Sequence, residues 1–362
     1  MSSPEFKPTG HLRGYGRFLQ ALHENGIDSS NMAFWSPFEP PELKTSSQSP
    51  KSNVLVIFDV IPLKFPSHFP AGIRGNIQLW KNKRALAKDT SIITISEHAK
   101  ADIVKYLGVP EEKIRVIYPP IGKIFVEGER GRLGDRGGQR GRGEDGEIQA
   151  EQDKYIVYVG DVNWNKNLPN LAKAIKLGNI ACVFVGNSFP SSSPPLLGPT
   201  PSPHPCLPAG RPLLPASWRT SHPWQESYKK FLEIANNNPK FIFKGYVSDE
   251  KLISLYKNAV CNVLVSQDEG FGYSYVEAAS QGTPSVLSET GIFMETGGDS
   301  ALFADPDKPQ DIADKIKTLV EDKEKRESLG KKAKERVLEM FSPEKFKLAH
   351  QALLADAHTD PS

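Results

Sequence analysis

The sequence predicts an α/β protein of two Rossmann-like, doubly wound domains, each built on a parallel sheet, that face each other across a cleft. Two observations support this class: the second half alternates short, wholly apolar runs with helical stretches, and the first half repeats the pattern more sparsely. Strands that are apolar throughout are buried on both faces, as in parallel sheets covered by helices. The length of 362 residues suits about two domains, each with its own core.

The second domain is predicted over residues 153–341. Its candidate strands occupy residues 155–159, 180–185, 241–243, 260–265 and 284–287. Its candidate helices begin near Leu168, Gln225, Asp249, Tyr273, Gln310 and Lys323. A C-terminal helix or tail is predicted over residues 342–362.

The first domain is predicted over residues 1–127 and has fewer elements. The pattern favours helices over residues 15–24, 76–87 and 97–106, and strands over residues 54–58, 92–95 and 114–117. No strand precedes Gly14, and the stretch between the first helix and Val54 leaves little room for others. This domain is therefore expected to be abbreviated, which would expose strand edges.

Two segments of biased composition interrupt the regular pattern. Residues 128–152 are rich in Gly and Arg, with eight glycines between Gly128 and Gly146, and are predicted to form a solvated, disordered linker. Residues 188–221 carry ten prolines between Pro190 and Pro215, a composition that favours polyproline II. We interpret the second segment as a loop insertion, with a PxxP ligand as the alternative.

Composition excludes several classes of protein. The 45 Lys and Arg residues against 43 Asp and Glu give a net charge of +2, which argues against bulk binding to nucleic acid or to a membrane surface. Three cysteines far apart in sequence suggest neither a disulfide framework nor a zinc site, and so a reducing compartment. With no apolar signal core at the N-terminus, we expect a cytoplasmic protein that at most contacts a membrane peripherally. The basic residues 81–88 are interpreted as solvated helix faces, with membrane docking as the alternative.

The stretch EGFGYSYVE, from Glu269 to Glu277, is the most informative part of the sequence. It follows a candidate strand, and the helix predicted from Tyr273 would direct unpaired backbone N–H groups at the cleft, where they favour a phosphate. Two carboxylates beside a phosphate suit a ligand that also carries hydroxyl groups, as a nucleotide sugar does. For the spacing alone, a glutamate stabilised by the helix dipole plus a surface glutamate is the simpler interpretation.

In its wider context this stretch resembles the E-x7-E signature of the retaining glycosyltransferases of family 4, which have the GT-B fold. Further similar segments cover most of the chain outside the two biased regions. They read LRGYGRFLQAL, FDVIPL, ISEHAKADIVKYLGVPEEKIRVIYPP, YVGDVNWNKNLPNLAKAI, GYVSDEKLISLYKNAVCNVLVS, ASQGTPSVLSE and LFADPDKPQDIADKI. The resemblance implies an acceptor-side first domain and a nucleotide-sugar-binding second domain.

The resemblance implies roles for the residues of the glycine loop. Glu269 would hold hydroxyls of the donor sugar, and Glu277 would bind the ribose hydroxyls. The backbone amides of Gly270, Phe271 and Gly272 would meet the sugar and the distal phosphate.

The resemblance also implies roles for two residues in the turn after the first strand of the second domain. Lys166 would neutralise the diphosphate leaving group, with Asn167 beside it in the donor site. Many relatives carry an Arg directly after the glycine of this turn, but here Asp161 follows Gly160.

In the first domain, Gly14 and Gly16 would face the diphosphate from the opposite side of the cleft. The segment that commonly reads His-Asp in the family has Phe58 at the His position, so that only Asp59 is carried over as an acceptor-side or sugar-orienting group. The simpler interpretations are an ordinary turn for the glycines and a strand-end cap for Asp59.

No metal or cofactor is expected. Asp305 and Asp307 flank a proline in a D-x-D pattern that other glycosyltransferases use for metal, but an Asp-Pro turn between a strand and a helix explains it. Lys166 and backbone donors would then stabilise the departing diphosphate.

The resemblance implies retaining transfer of a hexosyl group, mannosyl being one candidate, from GDP-hexose or UDP-hexose to a glycan or lipid-linked glycan in cell-surface polysaccharide synthesis. Two alternatives stay open. One is a GT-B sugar-nucleotide epimerase, and the other is a decayed or non-catalytic nucleotide-sugar binder.

Overall fold

The fold is taken from a computed structural model that describes residues 14–30, 32–39, 42–43, 54–86, 91–127, 154–190 and 223–359. The predicted linker over residues 128–152, most of the insertion over residues 188–221 and the residues before Gly14 lie outside these ranges. Two sheets are present, one in each predicted domain.

The first sheet has five strands in the order β2-β1-β3-β4-β5. These are β1 (Met32–Phe34), β2 (Glu42–Leu43), β3 (Val54–Val56), β4 (Ser91–Thr94) and β5 (Ile114–Val116). All neighbours pair in parallel except β2, which pairs antiparallel with β1. The expectation of little room for strands before Val54 needs correction, because β1 lies there. Its three buried residues, Met-Ala-Phe, are too few to show a periodicity.

The second sheet has six parallel strands in the order β11-β10-β9-β6-β7-β8. These are β6 (Tyr155–Val159), β7 (Ala181–Val185), β8 (Phe241–Gly245), β9 (Asn262–Leu264), β10 (Ser285–Ser288) and β11 (Leu302–Ala304). The five predicted strands are present as β6 to β10, with bounds that differ by at most two residues. Every residue of β6 and β7 is buried, as a sheet covered on both faces requires. The strand order reverses between β6 and β9, which places a crevice at their carboxyl ends.

Helices cover both sheets. In the first domain they are α1 (Gly14–Glu24), α2 (Ile61–Lys64), α3 (Gly72–Leu86), α4 (Glu97–Leu107) and α5 (Lys123–Glu127). In the second they are α6 (Leu168–Gly178), α7 (Pro223–Ala235), α8 (Asp249–Asn258), α9 (Tyr273–Ser280), α10 (Gly291–Gly297), α11 (Pro309–Glu321) and α12 (Lys323–Met340). Ser96 and Ser248 begin α4 and α8 by accepting a hydrogen bond from the backbone N–H three residues on.

The last helix, α13 (Pro343–Thr359), returns to the first domain. Phe346 is 2% exposed and its ring centroid lies 5.7 Å from that of Phe18 on α1. The backbone N–H of Ile121 donates to the carbonyl of Phe341 at 2.9 Å, which joins the end of α12 to the first domain. The chain therefore crosses between the two sheets a second time near Phe341.

Two further findings bear on the expectations from composition. Cys182 and Cys261 are buried free thiols, and burial raises the pKa of each. None of the helices within the described ranges has both the length and the apolarity needed to cross a bilayer.

Candidate active site in the interdomain cleft

A cavity of about 350 Å³ lies between the domains, at the carboxyl ends of β6 and β9. Its wall combines a glycine loop, four carboxylates (those of Asp59, Asp161, Glu269 and Glu277), a lysine and the start of α1. The lining residues include Gly14, Arg17, Asp59, Gly160, Lys166, Gly186, Glu269, Gly270, Phe271, Gly272, Ser274 and Glu277. This is the crevice where open α/β sheets bind their ligands.

The glycine loop is held in a shape that only glycine fits. Gly272 precedes α9 with φ of +88°, and a Cβ there would lie 2.7 Å from the ring of Phe293. A Cβ on Gly270 would lie 3.0 Å from the carbonyl oxygen of Phe58. The hydroxyl of Ser96 donates to the carbonyl of Gly270 at 2.8 Å, which joins the loop to the first domain. The first turn of α9 is thereby fixed with its N-terminus at the cavity, where it favours an anion.

Lys166 and Glu269 meet inside the cavity. The ammonium nitrogen lies 2.5 and 2.7 Å from the two carboxylate oxygens of Glu269, and the hydroxyl of Ser266 donates to the same carboxylate at 2.8 Å. Burial alone would lower the pKa of Lys166, yet the adjacent Glu269 carboxylate raises it above its usual value. Lys166 is therefore a fixed positive charge in the 3-10 turn that follows β6.

Glu277 lies about one turn into α9 and receives a partner from the other domain. Nε of Arg17 on α1 is 3.1 Å from Oε1 of Glu277, and the same guanidinium donates to both oxygens of Asp249 at 2.7 and 3.0 Å. The hydroxyl of Tyr256 donates to the other oxygen of Glu277 at 3.2 Å. Burial opposes the charge on Arg17, but these carboxylates more than offset it and raise the pKa of Arg17.

Asp59 follows the β3 strand and lines the first-domain side of the cavity. Its Oδ1 accepts the backbone N–H of Ile61 at 3.1 Å. Burial raises the pKa of Asp59 to about 6, against that hydrogen bond, and the nearby charges of Asp268 and Glu269 add to the rise. This carboxyl group thus titrates near neutrality, in the range where a group can exchange protons with a reactant.

Asp268, one residue before Glu269, belongs to an ion-pair cluster between the domains. Its carboxylate lies 2.9 Å from Nε2 of His98 and 2.9 Å from Nζ of Lys64, which also reaches Asp102 at 2.9 Å. Burial would raise the pKa of Asp268, but these hydrogen bonds hold it below the usual value. His98, Asp102 and Asp268 have ligand atoms close enough for a metal ion, yet the ammonium of Lys64 bonds to both carboxylates. The donor set fits an ion-pair network.

A second contact joins α4 to the second domain. Glu295 on α10 accepts the backbone N–H groups of Glu97 and His98 at 2.9 and 2.8 Å, so a residue of the second domain satisfies the first turn of α4. A Cβ on Gly291 would lie 2.5 Å from Nδ1 of His98, which shows how closely α10 approaches α4.

Most of the residues predicted for the site meet at this cavity. Those that line it are Gly14, Asp59, Lys166, Glu269, Gly270, Phe271, Gly272 and Glu277. Gly16 and Asn167 are not among the described lining residues. Gly16 lies within α1, and the Asn167 side chain donates to the carbonyls of Val265 and Pro306 at 2.9 and 2.7 Å. Their assignment to donor binding stays a prediction that this geometry does not support.

Three residues at or beside the site were not singled out from the sequence. Arg17 and His98 act through partners far away in the chain, so no local pattern marks them. The hydroxyl of Ser274 lines the cavity in the first turn of α9, is buried, and has no hydrogen-bond partner within the described ranges. Its position directly after the glycine loop was the available signal.

The Asp305-Pro306-Asp307 segment forms the predicted turn after β11. The backbone N–H of Asp307 donates to Oδ1 of Asp305 at 2.9 Å, and Lys308 pairs with Asp305 at 2.8 Å. The turn also supplies the Pro306 carbonyl that Asn167 binds.

Comparison with known proteins identifies the family. Residues 144–336, more than half of the chain, match the family described as "Glycosyl transferases group 1". This chain belongs to the glycosyl transferases of group 1. The chain is 23% identical over 271 residues to the O-antigen chain mannosyltransferase RfbU of Salmonella typhimurium. The match covers 74% of this chain and 61% of RfbU, so the chain spans somewhat less than two thirds of that relative.

Solved structures of other proteins share the fold. Sucrose-phosphate synthase from Thermosynechococcus elongatus superposes with a TM-score of 0.60 at 19% identity, over 84% of this chain and 67% of the other. HepE of Anabaena in complex with UDP-glucose superposes with a TM-score of 0.57 at 18% identity, over 85% and 73%. The two facing parallel-sheet domains are the GT-B fold, as the sequence predicted.

Proposed function

We propose that this protein is a retaining glycosyltransferase that moves a hexosyl group from a nucleoside-diphosphate sugar to a hydroxyl of a glycan or lipid-linked glycan. Mannosyl is the first group to test, because RfbU is named a mannosyltransferase. GDP-hexose and UDP-hexose are the donors to compare, since HepE was solved with UDP-glucose. The proposed setting is cell-surface polysaccharide synthesis on the cytoplasmic side of a membrane.

One observation carries the proposal: Lys166, Glu269 and Glu277 surround one cavity at the N-terminus of α9. The diphosphate would lie between the helix terminus and Lys166, where two sources of positive potential converge. Glu277 would accept hydrogen bonds from the ribose, and Glu269 from the hexose. The three side chains thus offer one partner each to the diphosphate, the ribose and the hexose of a nucleotide sugar.

In the proposed reaction, the bond between the anomeric carbon and the diphosphate oxygen breaks, while a bond from that carbon to the acceptor oxygen forms. The proton of the acceptor hydroxyl passes to the departing diphosphate on the same face of the sugar. Lys166 stabilises the negative charge that develops on the leaving group. No residue of the described part of the site is assigned as a covalent nucleophile.

Donor binding must rearrange the contacts that Glu269 and Glu277 make in this structure. Glu269 is bonded to Lys166 and Glu277 to Arg17. Hydroxyl groups of the donor would bond to the Glu269 carboxylate together with Lys166. On the Glu277 carboxylate they would replace Arg17. The cleft would close again over the bound donor and exclude water that hydrolyses it.

The test is a thermal-shift panel with GDP, UDP, ADP and dTDP, each also as its hexose conjugate, with and without EDTA. A ligand at 100 times its dissociation constant adds about 2.7 kcal/mol to the stability of a folded domain. Selective stabilisation by one base, unchanged by EDTA, is the expected result. Product analysis with that donor then separates transfer to an acceptor from epimerisation, and binding without turnover would identify a non-catalytic protein.

A further inference from the structure

Helix α3 exposes an apolar stripe. Ile73, Ile77 and Trp80 are 82%, 51% and 54% exposed, and their i, i+4, i+7 spacing places them on one face. The other large, exposed apolar side chains in the described ranges lie on separate elements. These are Leu177, Tyr246, Met294, Leu338 and Leu348. Only α3 therefore gathers three of them, among the described helices, and a grouped apolar face marks an interaction site more often than scattered residues do.

The opposite face of α3 fixes the stripe outward. Asn82 is 2% exposed, and its side-chain amide donates to the carbonyls of Ser36 and Glu39 at 2.9 and 2.7 Å. Leu86, four residues later, is 5% exposed and packs in the core of the first domain. Because Asn82 and Leu86 anchor the helix, the stripe is not free to turn inward.

Basic residues flank the stripe, and the helix contains no Asp or Glu. The exposed basic residues are Arg74, Lys81, Lys83 and Arg84. The guanidinium carbon of Arg84 lies 3.9 Å from the ring centroid of Trp80, so charge and aromatic ring share one patch. A helix with an apolar stripe between basic flanks is suited to the boundary of an anionic bilayer, where Trp is also favoured.

The patch is connected to the cleft through the loop that precedes α3. The loop that leads into α3 contains His68, whose ring stacks on Trp164 at a centroid distance of 3.7 Å. Trp164 begins the 3-10 turn that contains the cavity residue Lys166. The stripe thus starts five residues after a contact at the cleft.

We propose that Ile73, Ile77 and Trp80, with the basic residues Lys81 and Arg84, form a docking surface for an anionic lipid bilayer. The inference extends the proposed function, which places a lipid-linked acceptor at a membrane, by naming the surface and the lipid charge. Its test measures binding to vesicles alone, so its failure is separate from a failure of glycosyl transfer.

The experiment is co-sedimentation of the full chain with vesicles of phosphatidylcholine, alone or with about one third phosphatidylglycerol, at physiological salt. The wild-type protein is expected to sediment with the anionic vesicles and to stay in the supernatant with the neutral ones. Each basic residue near an anionic surface raises binding about fivefold. The variant Lys81→Glu/Arg84→Glu should therefore lower the partition coefficient at least tenfold, and Ile77→Ser/Trp80→Ser should lower it comparably.

The matched control lies on α13, where Leu348 is 65% exposed beside the exposed Lys345 and Lys347. The variant Lys345→Glu/Leu348→Ser should bind vesicles as the wild type does, and all variants should show the wild-type melting temperature. The proposal would be overturned if the wild-type protein did not sediment with anionic vesicles. It would also be overturned if the α3 variants bound these vesicles with the wild-type partition coefficient. Light scattering that finds a dimer which the α3 variants abolish, without vesicle binding, would assign the stripe to a second copy of the chain instead.

Discussion

Arg17 and Glu277 form an ion pair across the cleft, with Nε of Arg17 3.1 Å from Oε1 of Glu277. Arg17 belongs to the first helix of the first domain, and Glu277 belongs to the helix that follows the glycine loop. Both side chains are more than nine-tenths buried. The residue proposed to bind ribose is therefore also part of a contact that joins the two domains.

Replacing the carboxylate of Glu277 should weaken donor binding. Glu277→Gln keeps the size of the side chain but loses a charged acceptor, which is worth roughly 1.5–3 kcal/mol and so raises the donor dissociation constant about 10- to 100-fold. Isothermal titration with the nucleotide selected by the thermal-shift panel measures this. The exposed Glu289, as Glu289→Gln, is the control, and an unchanged dissociation constant for Glu277→Gln would remove that residue from the site.

Removing Arg17 should destabilise the fold, because it leaves the buried Glu277 carboxylate without its positive partner. Arg17→Met should lower the free energy of unfolding by about 3–5 kcal/mol. Urea denaturation gives the value. The double variant Arg17→Met/Glu277→Gln should recover part of the loss, since no buried charge then stays unpaired at position 277. Equal stability of Arg17→Met and the wild type would show that the ion pair contributes nothing.

Lys166 should matter more for turnover than for donor affinity. Lys166→Met removes the charge proposed to stabilise the leaving diphosphate, and loss of one such group costs about 10²–10³ in turnover. Steady-state assays at saturating donor measure it, with the exposed Lys173→Met as the control. Turnover that stays at the wild-type level would contradict the role.

Asp59 makes stability depend on pH in a defined direction. Its pKa is about 6 in the folded chain against 3.8 for the free side chain, so the folded state binds the proton more tightly. The associated stability is complete below about pH 4 and is lost as pH rises through 6, with a maximum of about 3 kcal/mol. Asp59→Asn should therefore match the wild type near pH 4 and exceed its stability at pH 7. Melting curves across this range test the prediction, and a constant difference between the two proteins would contradict it.

Gly272 of the glycine loop can be compared with Gly282, which follows α9. Gly272 and Gly282 both have positive φ, +88° and +78°, but a Cβ would meet the Phe293 ring only at Gly272. Gly282→Ala should cost only the strain of its backbone conformation, about 1 kcal/mol. Gly272→Ala adds the clash, and it should destabilise the protein further and abolish the nucleotide-induced thermal shift. Similar effects of the two substitutions would show that the loop tolerates a side chain.

The second domain was predictable because its signals are local. The β6 and β7 strands are unbroken apolar runs, and the glycine loop between β9 and α9 is marked by Gly270 and Gly272 themselves. Six of the seven helix starts described in this domain were also predicted, and Ser248 and the prolines at the start of α7 and α11 are local signals of this kind. The seven-residue helix α10 was not predicted.

The remaining features depend on contacts that are distant in sequence. Arg17 bonds to Asp249, which is 232 positions away in the sequence, and His98 bonds to Asp268, which is 170 positions away. Asn167 was assigned to the donor from its place beside Lys166, but two backbone carbonyls from other loops occupy its amide. Strand β1 was missed because three residues carry too little pattern, and it is held by pairing with β3.

The return of α13 to the first domain constrains how the cleft can open. The chain crosses between the domains once between Glu127 and Lys154 and again near Phe341, where the packing of Phe346 on Phe18 secures the second crossing. Because α13 packs on the first domain, sliding of the second domain along the first would have to break this aromatic contact or distort the chain near Phe341. A donor would enter by a swing that parts Arg17 from Glu277 while Phe346 stays packed on Phe18. The chain near Phe341, whose ring lies 5.1 Å from that of Phe271 in the glycine loop, would bend as the cleft opens.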